Sequence, residues 1–403
     1  MENDIVDGRL RAQFDIGSIL RAPNFERQEL KIMKSLRARA IPTACRIGIA
    51  VVMVLAATAY AYSARRENTS TSQHGAVLRI RVHGKSLEGN LEGDTADPYV
   101  SIYLPPSYSM HRHRRYPVLY LLHGYMDEDS NWFGAKHAFV DAPKAIDAAL
   151  VAGAREMIIV MPDAHTLYLG SMYSSSVVTG DWETFITHDL VSYMDSHYRT
   201  IPKRMSRGLA GHSMGGYGTV RLGMKYPEVF SSIYALSPCC LAPVPPEPSA
   251  VLAGVEKVTS AADLAKADFG VRAATAESAA WSPDPDKPPL YFDLPEVDGR
   301  IEPQVIAEWD ANAPLAMLPQ YVYNLKRLHA IALDVGTKDG LMPSVEELDK
   351  KLTTFGIAHT FQTYEGTHIS GIQMRLEQNV IPFFSKNLSF NGGGERGAKT
   401  LGQ

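Results

Sequence analysis

From residue 77 onward, short apolar runs alternate with longer amphipathic stretches. The runs "AVLRIRV", "PYVSIYLP", "YPVLYLLHG", "MIIVMPD", "RGLAGHS" and "FSSIYALSP" have strand length and sit between turn residues. Helical periodicity appears between them at about 139–152, 182–198 and 215–225, and again near 345–354. Strand and helix in alternation predict an α/β fold, a mostly parallel sheet with helices on both faces. The continuous apolar character of "YPVLYLL" and "MIIVM" marks central strands buried on both sides. The mixed first two runs suit an antiparallel edge, and "HTFQTYEG" reads as the last strand.

The alternation lapses twice. Between about 239 and 327 the chain turns proline- and alanine-rich, with "PVPPEPS" and "SPDPDKPP" and two helix-like pieces, far beyond an ordinary connection. Inserted between two strands at the C-terminal edge of the sheet, it overhangs the place where α/β ligands bind, so it reads as a cap or lid. A decorative surface insertion is the competing reading, because long insertions cost little free energy. The other lapse, "IGIAVVMVLAATAYAY" at 47–62, is uncharged, apolar and flanked by Arg46 and Arg65. Its length lies between a signal-peptide core and a spanning helix. The A-x-A patterns at 57–59 and 59–61 favour cleavage, whereas the long leader favours a retained anchor. Either way the bulk of the chain is expected outside the cytoplasm, secreted or periplasmic or anchored facing outward. The expected organisation is a leader or cytoplasmic region at 1–46, the apolar segment at 47–64, a catalytic-type domain at 65–388 with its insertion, and a flexible tail at 389–403.

Composition changes this picture little. With 45% hydrophobic and 21% charged residues in 403, the chain buries a large core and is not disordered. A net charge of -4 gives no broad electrostatic reason to bind nucleic acid. Three cysteines exclude a disulfide framework, and adjacent Cys239 and Cys240 are expected as two small buried thiols. The loop "SYSMHRHRRY" reads as a solvated basic loop, and Asp127, Glu128 and Asp129 as solvated carboxylates; neither predicts a metal.

The chemistry gathers at "GLAGHSMGGYGTVRLG", where Gly211-His212-Ser213-Met214-Gly215 fits G-x-S-x-G between a predicted strand and a predicted helix. The turn forces the serine into a strained conformation that only small neighbours tolerate. A serine hydroxyl needs a base, and the base a carboxylate, in the chain order Ser, acid, His. His368, in the "GTH" loop leaving the last strand, fits the base, whereas His359 starts that strand at the wrong edge. For the acid, Asp339 lies in the loop after "AIALDVG"; Asp334 is still within the strand and Glu365 is only three residues from the base. An oxyanion must be met by two N–H groups. These are assigned to Met214 and to Tyr125 in the His123-Gly124-Tyr125 turn. His123 and His212 read as structural parts of these turns, with Gly124 and His212 bordering the substrate.

Together these motifs, with "VSIYLPPSY", "TGDWETFITHDLVSYMDSHYRT" and "VGTKDG", resemble the putative esterase family of α/β-hydrolases over about 77–386. That family includes feruloyl esterases, S-formylglutathione hydrolases and mycolyltransferases. The resemblance implies an α/β-hydrolase fold, a Ser213, Asp339 and His368 triad, oxyanion donors at Tyr125 and Met214, and Asp181 and Trp182 beside the acyl pocket. The expectation is an exported or anchored serine carboxylesterase without cofactor or metal, acting on a small-molecule, glycan or lipid ester. An acyltransferase using the same acyl-enzyme and a non-catalytic binding protein on this scaffold are the alternatives.

Overall fold

The computed structural model describes residues 74–134, 140–245 and 247–391. The predicted leader, the apolar segment at 47–64 and all but the first three residues of the predicted tail lie outside them. Among the described residues no helix is long and apolar enough to cross a membrane.

Eight strands form one sheet: β1 (Ala76–Arg81), β2 (Tyr99–Leu104), β3 (Val118–Leu122), β4 (Ile158–Pro162), β5 (Arg207–His212), β6 (Ser232–Leu236), β7 (Ala330–Gly336) and β8 (Thr360–Tyr364). Their spatial order is β1-β2-β4-β3-β5-β6-β7-β8. The first two strands pair antiparallel at one edge, β2 runs antiparallel to β4, and every later pairing is parallel. This is the edge and centre arrangement that the mixed and continuous apolar runs predict.

Period-2 alternation divides the sheet between two cores. Val118, Tyr120 and Leu122 of β3 enter one apolar cluster, and Leu119 and Leu121 enter the other. The first cluster is covered by three helical elements. One is α1, built from Trp182–Thr184, a π turn at Phe185–Asp189 and Leu190–His197; the others are α2 (Met214–Lys225) and α3 (Met342–Thr354). The second is covered by α4 (Ala142–Val151) and a C-terminal helical stretch from Ile372 to Asn387 that contains a π turn. Burial of both faces is what parallel pairing requires.

Between β6 and β7 the described residues of the irregular stretch form five helices, α5 (Ala250–Val255), α6 (Ala261–Lys266), α7 (Phe269–Trp281), α8 (Pro303–Asp310) and α9 (Pro314–Leu325). Two helix-like pieces were the expectation. The others are short or capped by neighbours: Ser249, Ser260 and Asp268 each accept an N–H from the first turn of α5, α6 and α7. Leu252, Val271, Trp281 and Trp309 extend the first core, so this insertion packs as a continuation of it.

Two expectations change. Cys239 and Cys240 are joined as a vicinal disulfide and are only half-buried, where two buried thiols were predicted. They follow β6 closely, with Ser237 and Cys240 both at positive φ. Asp129 is not solvated: it is fully buried, ion-paired to Arg79 at 2.7 Å and accepting the Ser101 hydroxyl at 2.5 Å.

Candidate active site

Parallel pairing aligns the C-terminal ends of the central strands. Leu122 pairs with Gly211, His212 with Leu236, Leu236 with Asp334, and Gly336 with Tyr364, so the loops that leave these ends converge. Ser213 stands at the end of β5, at φ 57° and ψ −115°, and caps α2. That left-handed φ is costly for a serine and persists because the surroundings enforce it. The Ser213 N–H donates to the Leu236 carbonyl at 3.0 Å, and the Ser213 carbonyl accepts from Tyr217 at 2.9 Å and from Cys239 at 3.2 Å. The flanking glycines make the fit feasible. A Cβ on Gly211 would lie 2.3 Å from the Gly215 carbonyl oxygen, and one on Gly215 would lie 2.2 Å from that of Leu122.

The three side chains that the sequence nominates meet. His368 Nε2 is 2.8 Å from Ser213 Oγ, and His368 Nδ1 is 2.9 Å from Asp339 Oδ2. Asp339 is buried, which by itself would push its carboxyl up; the Leu341 N–H at 3.0 Å and the His368 contact outweigh this and hold it below the usual range. Asp339 is therefore a carboxylate that keeps the proton on His368 Nδ1 and leaves Nε2 facing the serine. Asp334 is engaged elsewhere, buried in β7 and paired with Arg375.

The two histidines read as structural each hold one backbone turn. His212 is buried, and burial, then the neighbouring His368, lowers its pKa to about 4. It is neutral near pH 7 and donates Nε2–H to the His368 carbonyl at 2.9 Å, fixing the loop that carries His368. His123 is buried as well; its Nε2 accepts from the Ala164 N–H at 2.7 Å, so Nδ1–H donates to the Gly124 carbonyl at 2.8 Å. Tyr173 donates to the His123 carbonyl at 3.1 Å. The turn so held passes close to Ser213, since a Cβ on Gly124 would come within 3.5 Å of Ser213 Cβ. Among the described residues, neither the Tyr125 N–H nor the first-turn N–H of Met214 has a protein acceptor.

A cavity of about 270 Å³ opens at Ser213 and is walled by Tyr125, Asp127, Trp132, His212, Phe269 and Ile369, among others. Gly124 and His212 are among its lining residues. Asp181 and Trp182 do not line it. Asp181 caps α1 by accepting the Thr184 N–H at 3.0 Å, and Trp182 is buried, donating to the Thr179 carbonyl at 2.7 Å and packing edge-on against Phe185. A cap and a core ring account for both residues. Missed in the sequence were Trp132 and Phe269. The aromatic pair in "SNWF" was a signal for the first. Phe269, at the start of α7, comes from the insertion and meets Tyr125 edge-to-face at 5.9 Å, a placement that no local pattern encodes.

A family model described as Putative esterase matches residues 95–371. Over 138 residues the chain is 37% identical to an esterase of Mycobacterium tuberculosis, covering 34% of this chain and 28% of that protein. Over 162 residues it is 25% identical to an S-formylglutathione hydrolase of Paracoccus denitrificans, covering 34% of this chain and 50% of that protein. The chain thus spans between about a quarter and a half of these curated relatives. Among solved structures, a ferulic acid esterase is similar with a TM-score of 0.55 at 22% identity, over 78% of this chain and 99% of that one. An S-formylglutathione hydrolase of Staphylococcus aureus is similar with a TM-score of 0.51 at 16% identity, over 77% and 99%. Those two likenesses concern the fold.

Proposed function

The chain belongs to the putative esterase family, and from that membership and the geometry at Ser213 we propose that it is a serine carboxylesterase working through an acyl-enzyme. The observation that carries this reading is the unbroken chain of hydrogen bonds from Asp339 through His368 to Ser213, placed at the mouth of an aromatic-walled cavity.

Ser213 Oγ attacks the ester carbonyl carbon while His368 Nε2 takes the hydroxyl proton. The imidazolium so formed is stabilised by the Asp339 carboxylate. Negative charge moves to the former carbonyl oxygen, where the N–H groups of Tyr125 and Met214 meet it; one such donor is worth about 10²–10³ in kcat. His368 then gives its proton to the departing alcohol. Water, deprotonated by the same histidine, attacks the acyl-enzyme, and the acid leaves with Ser213 restored. The insertion between β6 and β7 serves as a cap that supplies Phe269 to the substrate wall. The apolar character of 47–64 supports a location outside the cytoplasm, as a secreted or outward-facing anchored enzyme.

The test is intact-protein mass spectrometry after exposure to a fluorophosphonate probe, followed by a panel of p-nitrophenyl esters. One adduct on the wild-type chain, none on Ser213→Ala and a much slower reaction on His368→Ala are expected. A folded wild-type chain that takes up no probe and cleaves no ester would overturn the reading.

A further inference from the structure

Parallel pairing gives the sheet two ends, and Ser213 occupies one of them. At the other end Val118 pairs with both Ile158 and Arg207, and Ser232 pairs with Ala330, so the loops that enter β3 to β8 gather there. The loop that leaves β2 is one of these, because β2 runs antiparallel to β4 and sets Tyr103 beside Ile159. Strand β1 also starts there, with Ala76 paired to Leu104. The described residues therefore begin at the end of the sheet opposite Ser213.

These loops are basic. The segments 105–117, 152–157, 198–206, 226–231, 326–329 and 355–359 carry nine lysines and arginines and two carboxylates, Glu156 and Glu228. Glu156 is ion-paired to Arg114 at 2.6 Å, and Glu228 acts on Arg204. Arg112, Arg155, Lys203, Lys326 and Arg327 are exposed and have no ion pair among the described residues. Arg199 and Arg204 spend their guanidinium N–H groups on the carbonyls of Tyr108 and Arg114 and of Pro227 and Arg327, not on carboxylates. By contrast, the segments 123–129, 337–341 and 365–371 beside Ser213 carry five carboxylates and one lysine. Apolar side chains stand among the basic ones: Met110 near Arg112, Val151 at the end of α4 near Arg155, and Tyr323 in the last turn of α9 near Lys326. Val151 and Tyr323, at 83% and 84%, are the most exposed large hydrophobic residues described. Aromatic and apolar tips interspersed with lysine and arginine are what a surface lying in a lipid headgroup layer presents.

We propose that this end of the sheet is a docking surface for an anionic lipid membrane. The lysines and arginines draw phosphate headgroups to the face, each charge near the surface adding to the attraction, while Met110, Val151 and Tyr323 enter the headgroup layer. Lipid is the occupant because of where the chain arrives. His74 leads into β1 at this end, and the apolar stretch 47–64 is ten residues upstream, a reach of about 35 Å at most. The choice of lipid thus rests on the anchored form of the location proposed above. Docked by this end, the protein turns the opening at Ser213 to the aqueous side and holds the acidic segments beside it off the anionic surface.

Hydrogen–deuterium exchange of the full chain tests this, on phosphatidylcholine vesicles and on vesicles with about 30% phosphatidylglycerol. In about 0.1 M salt the anionic vesicles are expected to slow exchange in 107–115 and 322–329 relative to the neutral ones and to leave 365–371 unchanged. The effect is expected to vanish in about 1 M salt, where charges are screened within a few ångströms. Arg112→Glu, Lys203→Glu and Lys326→Glu together are expected to abolish the protection and to lower the salt-sensitive part of vesicle flotation at least about tenfold, with ester hydrolysis unchanged. Flotation with neutral vesicles in about 1 M salt reports the apolar segment alone, so a failed anchor and a failed basic face are read apart. Ser213→Ala is expected to dock like the wild type, which separates this outcome from that of the esterase reading. Equal exchange on the two vesicles, protection that moves to 365–371, or protection that survives the triple variant overturns the proposal. So does a DNA duplex that protects the same segments when the vesicles do not, which assigns the face to nucleic acid. The wild-type comparison stands whether or not the variant folds.

Discussion

The turn at Ser213 and the insertion between β6 and β7 both wall the same cavity, yet opposite means hold them in place. At the turn, backbone meets backbone: Gly211 and Gly215 sit where any Cβ would strike a carbonyl, and Ser213 is pinned through its own N–H and C=O. The insertion is docked mainly by side chains. Ser176 donates to the Ala279 carbonyl at 2.6 Å, Trp281 to the Ser174 hydroxyl at 3.2 Å, and Tyr217 to the Asn312 carbonyl at 3.0 Å. Trp281 adds ring contacts to Tyr217 and Trp309. A backbone lock tolerates no substitution, whereas side-chain docking can be altered one residue at a time. The rigid part of the candidate site therefore belongs to the turn, and the part open to variation belongs to the insertion.

The largest effects expected are those of two aspartates five residues apart. Asp339→Asn should cost about 10⁴ in kcat with the fold kept, because the wrong tautomer of His368 then faces Ser213. Asp334→Asn should instead cost about 3–5 kcal/mol of stability, because Arg375 is left buried without its charge partner, while the folded fraction keeps its kcat. Ester kinetics beside urea unfolding separate the two, and exchanged outcomes would reverse the assignment of the acid.

Next in size is Gly215→Ala, where the added methyl meets the Leu122 carbonyl at 2.2 Å. A loss of about 4 kcal/mol or more, read from the unfolding midpoint, marks a backbone lock. Phe269→Ala is its counterpart in the insertion. This ring is 66% exposed, so its removal should change stability by about 0.5 kcal/mol or less. Its place in the cavity wall should show as a severalfold rise in KM with kcat nearly unchanged. Equal losses of stability in the two variants would erase the contrast.

The smallest effect concerns Glu277 in α7, which has no hydrogen bond or ion pair among the described residues and whose carboxyl burial raises to about 8. Between the unfolded value near 4.3 and about 8, the folded state holds this proton more tightly than the unfolded chain, so the contribution to stability falls as pH rises through that window. Glu277→Gln should flatten the decline, raising Tm by a few degrees at pH 8.5 and leaving it nearly unchanged at pH 4. Parallel Tm profiles for the two chains would show that the group does not titrate in this way.

Patterns that act over a few residues are legible in the amino-acid sequence itself. The period of the apolar runs determined the strands, the antiparallel edge and four of the helices that cover the sheet, because alternation and helical spacing follow from backbone geometry alone; the C-terminal stretch from Ile372 to Asn387 was not among them. Glycines around Ser213 announced the strained turn, and the positions of Asp339 and His368 just beyond strand ends placed them at one edge of the sheet. Long-range placement was not legible. Phe269 becomes part of the cavity because α7 docks on Tyr125, and Asp129 is buried against Arg79 of β1, which reaches it across fifty residues. Asp181 and Trp182, next to each other in a suggestive motif, were claimed by a helix cap and by the core. A local pattern encodes which way a side chain leaves its own element, whereas what that side chain meets depends on elements tens to hundreds of residues away, and only packing brings those together.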